Sequence, residues 1–218
     1  MGSNLNLNYQ IEEYINSHSI KLHPVQYEII KYNDTLGEIK KMQISISQCH
    51  FLHLIVKIIN PKNILEIGTF TGLSALTMGL AMDENSKLTA LDKNKETSDV
   101  AISFFKKAKI DNKINLLINN AIVSLDDLHN QKKKYDFIFI DADKENYINY
   151  FNNSLNILNN NGIIVVDNVL WYGDVADQNK NDRLTLKIRE FNKFIKDDNR
   201  VESLILPIGD GLSICRKK

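Results

Sequence analysis

The sequence predicts an α/β fold in which a mostly parallel sheet is covered by helices on both faces. Three observations lead there. Short apolar runs and helical stretches alternate five times between residues 63 and 196, the signature of parallel strands joined by helical crossovers. Two further apolar runs close the chain around Gly209-Asp210-Gly211, a spacing that suits an antiparallel hairpin at one sheet edge. The chain has 218 residues and is 43% hydrophobic, enough for one sizeable core.

The elements follow in order. Residues 7–17 read as a short helix. Pro24 suits the first turn of a second helix running to about Leu36. Ser47 is a candidate cap for a third, "SQCHFLHLIVKII", which Asn60-Pro61 stops. "NILEI" (63–67) is the first buried strand, followed by the turn "GTFTG" and the helix "LSALTMGLAM". "KLTALD" (87–92), "INLLI" (114–118), "YDFIFID" (135–141) and "GIIVVD" (162–167) are the next four strands. Helices over about 95–108, 121–129, 145–158 and 181–196 alternate with them. "VESLILPI" and "GLSICRK" are the closing strands. The whole, 1–218, is expected to form a single domain, with no internal repeat.

Charge and cysteine usage narrow the function. Lys plus Arg and Asp plus Glu are both 27, so bulk electrostatics do not favour nucleic acid as the partner. Cys49 and Cys215 lie far apart and form no CxxC site, which suits a reducing cytoplasm. No run of about 18 apolar residues suggests a membrane span. The N-terminus lacks a signal pattern, and Asn6 stands where a myristoylation motif needs Ser or Thr.

The turn "EIGTFTG" (66–72) lies between a strand and a helix. Gly68 and Gly72 allow a tight turn and close approach of a ligand to the helix N-terminus. No lysine is present to hold phosphates, which counts against a nucleotide triphosphatase. Glu66 lies near the end of the first strand, and Asp92 ends the second. An acidic side chain there can accept hydrogen bonds from ribose hydroxyls. A ribose-bearing cofactor is expected, with NAD and S-adenosylmethionine both qualifying.

Acids also end the fourth and fifth strands. In an open parallel sheet, ligands bind beyond the carboxyl ends of the strands. If these strands are neighbours, Asp141, Asp167 and Asn168 converge. Two carboxylates and an amide suit a hard divalent ion such as Mg²⁺, with Mn²⁺ or Ca²⁺ also compatible. A phenol beside such an ion loses its proton more easily. Lys144 stands near enough in sequence to take that proton, and a sulfonium methyl in line could then be attacked with little help beyond positioning.

At this point the sequence resembles the cation-dependent O-methyltransferases, the group containing caffeoyl-coenzyme A and catechol O-methyltransferases. The resemblance covers nearly the whole chain. It is most specific in "MQIS" (42–45), "ILEIGTFTGLSAL" (64–76), "YDFIFIDADKENY" (135–147), "GIIVVDNVLWYGDV" (162–175) and "LPIGDGLSICRK" (206–217). It implies a Rossmann-like class I methyltransferase fold with seven strands, the last pair a reversed hairpin, in a homodimer. The N-terminal helices, residues 1–60, would cover the cofactor and supply dimer contacts. By matching position, Asp141, Asp167 and Asn168 are metal ligands. Met42, Ile44, Glu66, Gly68, Thr69, Ser74, Asp92, Ala121, Asp141 and Asp143 are cofactor contacts. Lys144 is the general base, and Trp171 and Tyr172 line the acceptor pocket with it. The resemblance breaks after "MQIS", where "ISQCHF" puts Cys49 in place of the family's glycine. His50 and His53 lie three apart on one helix and read as surface or packing residues rather than a metal pair.

The implied activity is divalent-metal-dependent methyl transfer from S-adenosylmethionine to a hydroxyl of a catechol-type or hydroxycinnamoyl small molecule. A second class is methylation of a hydroxylated uridine in transfer RNA, for which Lys132–Lys134 and Arg216–Lys218 are the candidate basic residues. A metal-dependent phosphotransfer enzyme ranks lower for want of a phosphate loop. A non-enzymatic binding module ranks lower because every catalytic position is filled.

Overall fold

A computed structural model describes residues 8–218. Residue 7 of the first expected helix, and the leader and acylation readings, lie outside the described residues. Among the described residues, eight α-helices and seven strands follow the expected order. The helices are α1 (Tyr9–Ser17), α2 (Pro24–Asn33), α3 (Ile46–Ile59), α4 (Leu73–Ala81), α5 (Lys95–Lys107), α6 (Ala121–Asn130), α7 (Tyr147–Ile157) and α8 (Arg183–Lys196). The strands are β1 (Asn63–Ile67), β2 (Lys87–Asp92), β3 (Ile114–Ile118), β4 (Tyr135–Ile140), β5 (Leu158–Val166), β6 (Val201–Leu206) and β7 (Leu212–Lys217).

One sheet orders them β3-β2-β1-β4-β5-β7-β6. The first five are parallel, and β7 runs antiparallel between β5 and β6. From β1 the chain winds outward to β3 and then returns to β4 on the other side. The topological switch point therefore lies between β1 and β4, where such sheets open a crevice at their carboxyl ends.

Strand alternation divides the core into two layers. Ile64, Phe137, Phe139 and Val165 pack with Ile29, Leu52, Leu76 and Phe105 on one face. Leu65, Ile67, Ile138, Ile140, Ile164 and Val166 pack with Leu125, Tyr147, Phe151 and Phe191 on the other. Burial on both faces is why these strands read as apolar runs. No single helix among the described residues is long and apolar enough to cross a membrane.

Several boundaries differ from the sequence reading, each for a local reason. Helix α2 ends at Asn33, not Leu36, and the chain continues as a 3₁₀ stretch, Asp34–Met42, kinked at Gly37 with φ +62°. Ser45, not Ser47, caps α3. Its Oγ accepts from the Gln48 N–H, and Gln48 Oε1 accepts from the Ser45 N–H at 2.7 Å. This reciprocal pairing satisfies two otherwise orphaned donors. The segment before α7 begins with a 3₁₀ turn, Lys144–Asn146. Strand β5 starts at Leu158 rather than 162, because Leu158 pairs with Tyr135 before the register shifts and pairing resumes at Phe137 and Ile163.

Candidate active site

The main chain carries each strand end into the crevice. Gly68 N–H donates to Leu91 O, Asp141 N–H to Ile67 O, and Asp167 N–H to Ile140 O, each at 2.9 Å. The sheet ladder thus extends one residue past each strand and fixes where the acids begin. Gly68 has φ +90°, and a Cβ there would sit 1.9 Å from the Asp141 carbonyl oxygen. Only glycine lets the first turn pass so close to the end of β4.

Glu66 points into this turn from β1 and is fully buried. Neither of its carboxylate oxygens has a hydrogen-bond partner, nor do the Thr69 and Thr71 hydroxyls. Thr69 and Ser74 lie beside Glu66 and favour its charged form, but no bond of ordinary geometry closes and burial outweighs them. Burial, with the charges of Asp92 and Asp141 adding, pushes the Glu66 carboxyl up to about 8. Enclosed acceptors without donors are what a ligand bearing hydroxyl or ammonium groups would satisfy, so this turn fits the expected cofactor.

Glu66 gives a stability prediction. Its carboxyl is ordinary in the unfolded chain and raised in the fold, so the folded state holds the proton more tightly. Its contribution to stability is expected to be full below about pH 4.5, to fall as pH rises toward about 8, and to be level beyond. Glu66→Gln is expected to flatten part of that slope and to stabilise the ligand-free protein at pH 8 by up to a few kcal/mol. Urea unfolding at pH 5 and pH 8 measures it. Identical slopes in variant and wild type would exclude this role for Glu66.

Asp92 does more than the sequence suggested. Its Oδ2 accepts from the Thr69 and Phe70 N–H groups at 2.9 and 2.8 Å, and its Oδ1 from the Asn94 N–H at 2.8 Å. It staples the end of β2 to the turn after β1, leaving one acceptor site, on Oδ1, for a further donor. Ala121 opens α6 just beyond β3, where Asn119 N–H reaches Asp92 O. Of the two segment-42–45 candidates, Ile44 is buried in the core while Met42 is 57% exposed.

The acidic centre assembles as the neighbour condition required. Strands β4 and β5 pair in register, Ile140 opposite Val166, so Asp141 and Asp167 leave adjacent strand ends together. Asn168 follows with φ +57°, its N–H donating to Asp167 Oδ1 at 2.6 Å. Lys144 Nζ donates to Asp141 Oδ1 at 2.9 Å and to Asn168 Oδ1 at 2.5 Å. It also lies 5.1 Å from the Tyr147 ring centroid, a cation–π distance. Asp167 is 1% exposed. Burial first, and then the charge of Asp141, push its carboxyl well above the ordinary range. Both effects ask for a cation. Among the described residues no group of three or more His, Cys, Asp or Glu side chains is set for a metal; the two carboxylates here have the Asn168 amide oxygen beside them as a further donor. Two carboxylate oxygens and one amide oxygen are hard donors and fit Mg²⁺ or a similar ion.

Asp143 turns away from this centre. Its oxygens accept from Tyr150 Oη at 2.6 Å and Asn146 Nδ2 at 2.5 Å. Burial would raise its carboxyl, but these donors outweigh it and hold the group below its usual value. His50 and His53 stay packing residues on α3, half-buried, with burial depressing both.

Three neighbours of the site were not identified from the sequence. Tyr147 is fully buried and donates to Asp167 O at 2.9 Å. Gln48 is buried beside Gly209 and faces Asp167, which its amide tempers. Asp210 sits between the two hairpin glycines with Oδ2 enclosed and unpartnered, its carboxyl raised by burial. The S-x-x-Q spacing of Ser45 and Gln48 was a readable capping signal. In the sequence Asp210 stands only as the middle residue of the Gly209-Asp210-Gly211 turn.

The loop after Asn168 carries Trp171 and Tyr172, whose ring centroids are 5.6 Å apart. Tyr172 is 75% exposed, and Trp171 packs partly against the second core layer.

The chain is similar to known proteins along nearly its whole length. A family model described as O-methyltransferase matches residues 16–218. A Dictyostelium discoideum protein named "Probable caffeoyl-CoA O-methyltransferase 2" is 41% identical over 214 residues, covering 97% of this chain and 90% of the relative. The caffeoyl-CoA O-methyltransferase of Medicago sativa is 40% identical over 185 residues, covering 81% and 75%. The crystal structure of a Bacillus cereus O-methyltransferase in complex with SAH superposes with a TM-score of 0.88 at 29% identity, covering 96% of this chain and 97% of the other.

Proposed function

We propose, from the premise that this chain belongs to the O-methyltransferase family, that it methylates a hydroxyl of a catechol-type or hydroxycinnamoyl small molecule, using S-adenosylmethionine and a divalent cation. The observation that carries this reading is the buried Asp167 carboxylate, set beside Asp141 and Asn168 at two adjacent strand ends with Lys144 as their present counter-ion.

The ion supplies stabilisation of an oxyanion, and S-adenosylmethionine supplies an electrophilic methyl group. The chain's own residues do the rest. Asp141, Asp167 and Asn168 would hold the ion. Glu66, Thr69 and Asp92 orient the donor, and the glycines of the turn admit it. With the ion taking over as counter-charge and Nζ having first lost its own proton to solvent, Lys144 would accept the acceptor's hydroxyl proton at Nζ, leaving the oxygen free to attack the methyl group that S-adenosylmethionine would supply. Trp171 and Tyr172 flank a flat ring and exclude water. The exposed Tyr14, Tyr27, Leu54 and Ile58 on the N-terminal helices are the apolar surface a second copy would cover in a homodimer.

The transfer-RNA reading has less support. Lys134 donates to Asn156 O, Lys217 to Leu155 O and Leu158 O, and Arg216 to Glu202 and Asn161. These residues stand at the amino end of β4 and the carboxyl end of the reversed β7. That is the opposite rim of the sheet from Asp141, about 20 Å along a six-residue strand. The deciding assay offers a labelled methyl donor with catechols, hydroxycinnamoyl thioesters or total transfer RNA. Label in a phenol supports the proposal. Label in RNA with none in any phenol refutes it.

A further inference from the structure

The Gly-Asp-Gly turn of the last hairpin has no role in the chemistry above, yet it touches the aromatic loop at several points. Trp171, Tyr172 and Gly173 are consecutive left-handed residues, with φ of +48°, +55° and +86°. Two large aromatic residues in that region are uncommon, and such backbone persists only where its surroundings over-determine it. The restraint comes from across the sheet end. Val169 N–H donates to Gly211 O at 3.1 Å, and Leu170 N–H to Asp210 O at 3.0 Å. A Cβ on Gly211 would lie 2.4 Å from Leu170, so turn and loop are in direct contact.

These bonds end before the left-handed run begins. Within it, Gly173 N–H closes back on Leu170 O at 2.9 Å, a bond local to the loop. The tie from Tyr172 to the rest of the fold is to a side chain: its N–H donates to Asp210 Oδ1 at 2.5 Å. The two partners are 38 residues apart in sequence. A charged acceptor makes this bond stronger than a neutral one, and the glycines on either side let Asp210 approach, Gly209 lying against Gln48 and Gly211 against Leu170.

We infer that Asp210 is a positioning residue, whose carboxylate clamps the Trp171–Tyr172 loop to the hairpin turn and so sets the wall of the acceptor pocket. The clamp stands on geometry alone; its effect on the acceptor rests on the function proposed above. Asp210 touches neither acceptor nor donor in this scheme; its carboxylate also faces the Asn168 amide and the Lys144 ammonium, and its hold on the loop runs through the Tyr172 N–H.

The chain has one tryptophan, and it lies in this loop, so fluorescence reads the clamp without an assay of activity. In the full-length protein, Asp210→Ala is expected to make Trp171 more accessible to acrylamide quenching. It is also expected to raise the KM for a catechol acceptor about tenfold, with smaller change in kcat and none in S-adenosylhomocysteine affinity by calorimetry. Asp210→Asn keeps an oxygen acceptor for the Tyr172 N–H and should recover most of the protection and most of the KM. Unchanged quenching in Asp210→Ala overturns the clamp, as does Asp210→Asn exposing Trp171 to the same degree. Loosened Trp171 with unchanged KM upholds the clamp and overturns instead the reading of this loop as the acceptor wall.

Discussion

Stripping divalent ions with EDTA is expected to abolish methyl transfer while the far-UV circular dichroism and the cooperative unfolding transition persist. Asp141, Asp167 and Asn168 come from two strand ends that the sheet holds in register regardless of any ion. Without the cation, the Lys144 ammonium remains within 2.9 Å of Asp141, so the acids keep a counter-ion and the fold keeps its core. Mg²⁺ should restore activity. Asp167→Ala should not be restored at ordinary Mg²⁺ concentrations. Loss of residues that merely support a metal ligand costs about 10–100-fold in affinity or activity, and deleting an anionic ligand should exceed that. The same variant removes a buried carboxylate that Asp141 repels, so its thermal stability in EDTA should not fall. That pairing, lost turnover with retained stability, separates a ligand from a structural cap. Full activity after verified removal of the ion would show the mechanism to be wrong.

Lys144→Ala is expected to lower kcat by on the order of 10²–10⁴-fold, the range for loss of a positioned base. Donor affinity should be unchanged, and Mg²⁺ should still bind. The side chain has a second duty in the ion-free state, where it bridges Asp141 and Asn168. Lys144→Ala should therefore destabilise the protein in EDTA more than in Mg²⁺, because the ion replaces the missing charge. Lys144→Arg divides the two duties: a guanidinium keeps the charge but does not exchange a proton near neutral pH. If Lys144→Arg turned over at the wild-type rate, Lys144 would be an electrostatic partner and not the base.

The fold was legible where physics is local. Strands β1, β2, β4 and β5 bury residues on both faces and so appear as apolar runs, and the acids at their ends stand out because nothing inside the sheet would keep them there. The convergence of Asp141 and Asp167 needed one assumption, that β4 and β5 are neighbours, and the register of Ile140 with Val166 meets it. What escaped was either a competition between near-equivalent local choices or a contact across long sequence separations. Ser45 outcompetes Ser47 as a cap because Gln48 returns its hydrogen bond. Asp92 binds the backbone of a turn 22 and 23 residues away, which no spacing rule reveals. Asp210 meets Tyr172 only because β7 is reversed and brings its turn to the carboxyl rim of the parallel strands.

The close passage of Gly68 over the Asp141 carbonyl has a consequence for engineering. A side chain at 68 would have to displace the main chain of β4 at the residue that begins the acidic centre. On the function proposed, the turn that would hold the donor and the strand end that would hold the ion are one mechanical part, not two modules that can be recombined. Saturation libraries intended to admit bulkier methyl-donor analogues would therefore spend diversity at 68 on variants that lose the acceptor chemistry as well. Met42, with an exposed side chain on the segment that leads into α3, is the better randomised position, since changes there leave the crossing of β1 and β4 untouched.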